Sequence, residues 1–296
     1  MRTTSFDFEA IGTHWRIDIP RDTDAKKRRL LLEKTVALIE GFDKTYSRFR
    51  DDSLVMKMAR RKGTYVLPEN AGKMVDLYKT LYDLTGGLFT PLVGNLLEGA
   101  GYDRNYSLVP KKLRTPPVWE EAIEYRHPKM TMKKAEILDF GAGGKGYLID
   151  LVSDLLAKEG VRYFCVEAGG DMFFRNTGKE KLRVGLEHPD DPTKVIGVAE
   201  ISDLSLCASA GNRRKWGRFH HIVDPKTLSS PSAIKATWVA ADCALLADSL
   251  ATALFFVEPE KLGEKFDFSY TIVKADNSSE VSADFPAKMF SGRRTS

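Results

Sequence analysis

The sequence predicts an α+β fold in which mixed sheets pack against helices. Three observations carry that expectation. Strand-like and helix-like segments come in runs with only one strand–turn–helix–strand alternation, no repeat or low-complexity linker divides the chain, and 296 residues suffice for one large or two modest cores. A single domain spanning 1–296 is expected, ending in a short flexible tail from about 287 to 296, with an arrangement in two lobes left open.

The elements follow in order. Phe6 to Pro20 alternates polar and apolar residues around Gly12, the pattern of two strands and a turn. From Lys26 to Tyr46 apolar residues recur at helical spacing. Asn70 to Thr85 repeats that spacing with Met74, Leu77, Tyr78, Leu81 and Leu84, and Gly86 and Gly87 stop it. Leu88 to Tyr106 is punctuated by glycine and reads as loop with short helical pieces. Glu136 to Phe140 reads as a strand, Gly141 to Gly146 as a turn, Tyr147 to Glu159 as an amphipathic helix and Tyr163 to Glu167 as a strand, together one crossover unit. Leu182–Glu187, Val195–Ile201, Leu204–Ser209 and His220–Asp224 read as strands. Asp242 to Val257 is the strongest helix, with Asp242 as its expected N-cap and Pro259 beyond its end. Phe268–Lys274 and Glu280–Ala283 close the chain as a hairpin around Asp276 and Asn277.

Composition narrows the function classes. The 45 Lys and Arg against 41 Asp and Glu leave a formal charge of +4 on a chain that is 43% hydrophobic. Its basic clusters, such as Lys26–Arg29 and Arg213–Lys215, are short and scattered rather than gathered into a stripe, which argues against nucleic acid as a partner. Cys165, Cys207 and Cys243 sit in apolar runs without a CxxC pair, as small core residues in a reducing compartment. No apolar run reaches the roughly 18 residues of a membrane span, and the N-terminus lacks a signal pattern. The expected location is cytoplasmic as written, or extracytoplasmic if the chain was cut from a longer precursor.

Chemistry concentrates at three places. Residues 141–146, GAGGKG, satisfy GxGxxG after an expected strand and before a helix, with Glu167 ending the next strand, so a nicotinamide-dependent oxidoreductase is one alternative. Lys145 inside the turn and the lack of further strand–helix alternation weigh against it, and Gly146 after Lys145 excludes a Walker A loop. Either way, backbone N–H groups at a helix start beside an ammonium favour an anionic ligand. Secondly, Asp248 and Thr252 share a face of an otherwise apolar helix and present two oxygens to a common point. A buried carboxylate needs a partner, and all-oxygen donors suit a hard cation such as Mg²⁺, the alternative being a hydrogen bond to backbone or arginine. Thirdly, alternation would put His220 and His221 on opposite faces, so at most one faces a given site. Zinc is not expected, since no HExxH pair exists.

Taken in order, the segments AIGTHW, YSRFRDDS, GGLFTPLVGNLL, LDFGAGGKGYLID, VEAGGD, CASAGN, HHIVDP and ADSLATALF resemble the ApbE-type FAD:protein FMN transferases over residues 10–256. The resemblance displaces the nicotinamide alternative. It implies Mg²⁺-dependent transfer of the FMN half of FAD to a Ser or Thr hydroxyl of an acceptor flavoprotein, with release of AMP. By the same resemblance Asp248, Thr252 and the carbonyl of Ala142 hold the metal. Ile11, Phe49, Leu88, Phe89, Thr90, Asp139, Lys145 and Ile222 contact FAD, and His221 is the base, expected near its ordinary pKa. Ile11 stands where relatives often have Met, Phe49 where they have Tyr, Thr90 where they often have Asp and Leu228 where a glycine is usual. A FAD-binding protein or FAD pyrophosphatase without transfer activity is the alternative within the same resemblance.

Overall fold

The N-terminal half of the chain supplies most of the helices. The computed structural model describes residues 3–176 and 178–290. Strands β1 (Thr3–Ala10) and β2 (Thr13–Pro20) pair across the Ile11–Gly12 turn, and alternation buries Trp15, Ile17 and Ile19 on one face of β2. Helix α1 (Ala25–Tyr46) begins at Asp24, whose carboxylate accepts from the Lys27 N–H at 2.9 Å. Helix α2 (Leu54–Arg60) is capped likewise by Ser53. Strand β3 (Gly63–Val66), helix α3 (Gly72–Leu84), helix α4 (Gly94–Ala100), helix α5 (Trp119–Ala122) and strands β4 (Ile123–Arg126) and β5 (Lys129–Met132) follow, with β3–β5–β4 forming a small antiparallel sheet.

Helix α6 (Gly144–Lys158) leads into β6 (Phe164–Ala168), β7 (Asp171–Arg175), β8 (Leu182–His188), β9 (Asp191–Ile201) and β10 (Leu204–Ala210). After the two-residue strands β11 (Lys215–Trp216) and β12 (Phe219–His220) come β13 (Ile234–Ala241), helices α7 (Ala244–Ala253) and α8 (Pro259–Gly263), and strands β14 (Ser269–Lys274), β15 (Ser279–Val281) and β16 (Ala287–Met289). The main sheet runs β1-β2-β6-β7-β10-β13-β14-β15 with antiparallel neighbours throughout.

Both faces of that sheet are covered at its centre. In β10, Cys207 enters the core shared with α1, α3, α6 and α7, while its neighbour Leu206 enters a second core. Val239 and Trp238 divide β13 in the same way. The second core lies against the sheet β16–β9–β8, through Leu186, Ala199 and Ile201. A third cluster joins α4 to the β11–β12 region through Leu96, Tyr102, Trp216 and Phe219.

Four expectations need correction. Glu136–Phe140 is not a strand: Ile137 and Leu138 are buried, but this stretch joins no sheet ladder, and the Asp139 N–H donates to the Pro91 carbonyl. The crossover unit therefore does not exist, and the antiparallel sheet removes the nicotinamide alternative. Asp242 does not cap α7; that helix begins at Ala244, and Asp150 of α6 accepts from the N–H groups of Ala244 and Leu245 at 2.8 and 2.9 Å. Of His220–Asp224 only His220 lies in a paired strand, in β12, and Asp224 makes an isolated bridge to Ser229. Finally, the expected tail opens with a paired strand, since Ala287–Met289 forms the ladder of β16 with β9; 291–296 lies outside the described residues.

Candidate active site

A cleft of about 1120 Å³ runs between the helical layer and the second core. Its floor is the glycine segment leading into α6. A β-carbon on Gly146 would stand 2.0 Å from the Ala244 carbonyl oxygen, and one on Gly143 2.1 Å from Ser249 Oγ. Glycine at these two positions is what lets α6 and α7 meet. The turn is not the open phosphate cradle expected from its sequence. The Gly143 and Gly144 N–H groups donate to the Phe140 carbonyl, the Gly146 N–H donates to Asp248 Oδ2 at 2.8 Å, and the Lys145 ammonium pairs with Asp171.

Asp248 is 4% exposed and lines the cleft. Burial pushes its carboxyl pKa up, against the pull of the Lys145 charge and the Gly146 N–H. Thr252, one helical turn on, also lines the cleft, with its Oγ1 3.1 Å from Ser209 Oγ. Ala142 borders the same space. Close by, the hydroxyls of Ser249 and Tyr78 are buried without hydrogen-bond partners. Asp248, Thr252 and Ala142 bring a carboxylate, a hydroxyl and a backbone carbonyl to the border of one cleft, donor types that suit a hard cation, whose charge would offset the cost of burying Asp248. Among the described residues no three His, Cys, Asp or Glu side chains gather in metal-ligating geometry.

Asp139 faces the floor from the segment before the turn. Its Oδ1 accepts from the Gly141 N–H at 2.7 Å and its Oδ2 from Arg48 Nε at 2.5 Å. Thr90, where a carboxylate would be more usual, caps the following turn by accepting from the Leu92 N–H. Phe89 is mostly core, its ring tilted onto Tyr78 at 4.9 Å, and it touches the cleft together with Leu88.

The two histidines differ in surroundings, and only His220 lies in a strand. His220 is structural: its Nε2 bonds the Pro231 carbonyl and its Nδ1 accepts from the Ile222 N–H. His221 lines the cleft beside Ile222, and its Nδ1 is buried without a partner. The expectation of an ordinary pKa does not hold. Burial, followed by the charges of Arg214 and His220, pushes His221 down to about 3, so its imidazole is neutral at physiological pH.

One end of the cleft is aromatic. Phe49 stacks on Tyr106 at 5.5 Å and 7°, meets Tyr102 edge-on, and lies 4.2 Å from the Arg48 guanidinium. Arg214 donates to the Tyr102 hydroxyl at 2.7 Å and Arg213 pairs with Glu187, so two members of the cluster Arg213–Lys215 border the cleft, each with a partner. Ile11 faces this end from the β1–β2 turn. Three charged groups of the site were missed by the sequence reasoning: Asp171, Arg48 and Asp150. All three lie inside quoted segments, VEAGGD, YSRFRDDS and LDFGAGGKGYLID, so membership of an ordered motif was the available signal.

An antiparallel α+β fold thus places a buried carboxylate, a paired lysine and an aromatic wall around one large cleft. The ApbE family profile matches residues 11–269, and the chain belongs to that family; it is a transferase. It is 26% identical over 283 residues to the FAD:protein FMN transferase of Escherichia coli K12, covering 88% of this chain and 80% of that protein. The enzyme of the same name from Treponema pallidum is also 26% identical, over 85% of this chain and 78% of its own length. Among solved structures, the ApbE protein of Thermotoga maritima superposes with a TM-score of 0.81 at 22% identity, over 95% of this chain and 97% of its own. The flavin transferase ApbE of Vibrio cholerae gives 0.78 at 19% identity, over 96% and 98%. These two likenesses establish the fold.

Proposed function

We propose that the protein moves the FMN half of FAD onto a Ser or Thr hydroxyl of an acceptor protein and releases AMP, with Mg²⁺ required. The observation that carries this reading is that Asp139, Ala142, Lys145, His221, Asp248 and Thr252, contributed by separate parts of the chain, all border one cleft large enough for a dinucleotide.

In the reaction, the acceptor hydroxyl oxygen bonds to the phosphorus of the FMN phosphate, the bridging P–O bond to AMP breaks, and the hydroxyl proton leaves. His221 suits the last task as a neutral ring with an unpartnered Nδ1. Its low basicity in the free protein rises when the FAD phosphates enter, because nearby negative charge favours the imidazolium. Lys145, fixed by Asp171, holds a positive charge beside the floor, where negative charge develops on the leaving phosphate. Asp248, Thr252 and the Ala142 carbonyl are the residues that would hold Mg²⁺, which supplies neutralisation of the phosphates.

The test is incubation with FAD, Mg²⁺ and a candidate acceptor, followed by mass measurement. An acceptor heavier by one FMN with matching AMP release supports the reading. AMP release with an unmodified acceptor would replace transfer by hydrolysis.

A further inference from the structure

We propose that the acceptor docks on the free edge of β8: its target segment adds to the sheet β16–β9–β8 as a further strand and so carries a Ser or Thr toward His221. This rests on the transferase reading, under which the second substrate is a polypeptide. Strand β8 pairs with β9 on one side, and no described residue forms a ladder on its other side. Its sequence, LRVGLEH, spans seven residues without a proline, so the edge is long enough and unblocked for pairing.

The ladder fixes which main-chain groups are open. The Glu200 N–H donates to the Pro286 carbonyl and the Phe290 N–H to the Ile196 carbonyl, so Ile196, Val198 and Glu200 of β9 turn their main-chain bonds toward β16. Successive residues of an antiparallel ladder bond to opposite sides, which leaves Gly197, Ala199 and Ile201 to bond Leu186, Val184 and Leu182 of β8. Arg183 and Gly185 therefore aim their N–H and C=O groups away from β9, and among the described residues these groups make no other hydrogen bond.

That edge opens on the cleft. Val184 and Gly185 are consecutive and so belong to opposite faces of the sheet, Val184 against the second core, yet both border the cleft, as residues at an open edge do. A β-carbon on Gly185 would stand 2.9 Å from Val195 Cγ1, so the edge meets the cleft there as bare main chain. The end of β8 leads toward the proposed base: Glu187 pairs with Arg213 at 2.9 Å, and the carbonyl of the next residue, Arg214, accepts from the His221 N–H at 3.1 Å. Main-chain bonds of this kind hold an extended segment and leave its alternate side chains to set preference.

Short peptides with one Thr between randomised flanks free of Ser and Thr serve as the probe. They are incubated with the intact protein, FAD and Mg²⁺, and the flavinylated members are sequenced by mass spectrometry. Proline, which lacks the N–H, should be depleted about tenfold at alternate flanking positions and tolerated between them. Depletion without that period of two, or none at all, would overturn the added strand. Arg183→Pro removes one outward N–H and leaves the bonds to β9 in place. It should lower kcat/KM for the peptides about tenfold relative to Arg183→Ala, which shares the loss of the 3.9 Å contact with Glu200, while the Kd for FAD stays that of the wild type. Equal peptide rates in the two variants would take the strand off β8. A wild-type dimer that Arg183→Pro dissociates, with peptide labelling unchanged, would give the edge to a second copy of the chain instead. Labelling of a folded acceptor with no labelled peptide would overturn the added strand alone; no labelling of either would overturn the transferase reading and this proposal with it.

Discussion

Asp248 holds two duties on two oxygens: Oδ2 closes the start of α6 through Gly146, and the carboxylate borders the cleft. Asparagine can keep the first duty through its amide oxygen while losing the charge. Asp248→Asn should therefore leave unfolding free energy within about 1 kcal/mol of wild type and weaken Mg²⁺ or Mn²⁺ binding in calorimetry by about 100-fold. Wild-type metal affinity in that variant would take Asp248 out of the metal site. His221 offers a second test. Its folded pKa of about 3 lies below that of the unfolded chain, near 6.5, so the unfolded state gains the proton first. Stability tied to the neutral ring is complete above about pH 6.5 and is lost as pH falls toward 3. His221→Gln should lose less stability than wild type between pH 7 and pH 5, by on the order of 1 kcal/mol in denaturant titrations. Parallel loss in the two proteins would refute the depressed pKa.

At the level of elements, α7 depends on a cap it does not contain. Asp150 lies 94 residues before Ala244 and binds the first two N–H groups of the helix. Asp150→Ala should cost about 1–2 kcal/mol, read as a lower denaturant midpoint with an unchanged slope; full stability would mean the N–H groups find water instead. The same helix marks what the sequence could reveal. Long apolar periodicity located α1, α3, α6 and α7, because a buried stripe must recur every three or four residues. The four-residue strands β3, β4 and β5 gave no such signal, and β7 was hidden behind Gly169 and Gly170. Glu136–Phe140 has the composition of a strand because Ile137 and Leu138 are core residues, and composition reports burial rather than pairing. Asp139, Lys145, His221, Asp248 and Thr252, which border the cleft, were singled out through ordered motifs. Their partners were not: Arg48 meets Asp139 across 91 positions and Asp150 reaches α7 across 94, distances over which no local pattern operates.

For the whole molecule, a ligand that binds only the folded chain stabilises it by mass action. FAD at about 100 times its Kd should add close to 2.7 kcal/mol, which for a chain of this size is a Tm rise of several degrees. Addition of Mg²⁺ should enlarge the shift for FAD but not for riboflavin, which has no phosphate. Equal shifts with both would separate the metal from the phosphates. No helix among the described residues is long and apolar enough to cross a membrane.

The contact between Gly146 and Asp248 joins positions 102 apart in the chain. Asp248 and Thr252 lie one helical turn apart, but the N–H that fixes the Asp248 carboxylate comes from the far side of that span, so no short stretch of the polypeptide can orient it. This bond therefore closes only when the last third of the sequence has met the first half, and the onset of amide-exchange protection at Gly146 during refolding would date the meeting of α6 with α7.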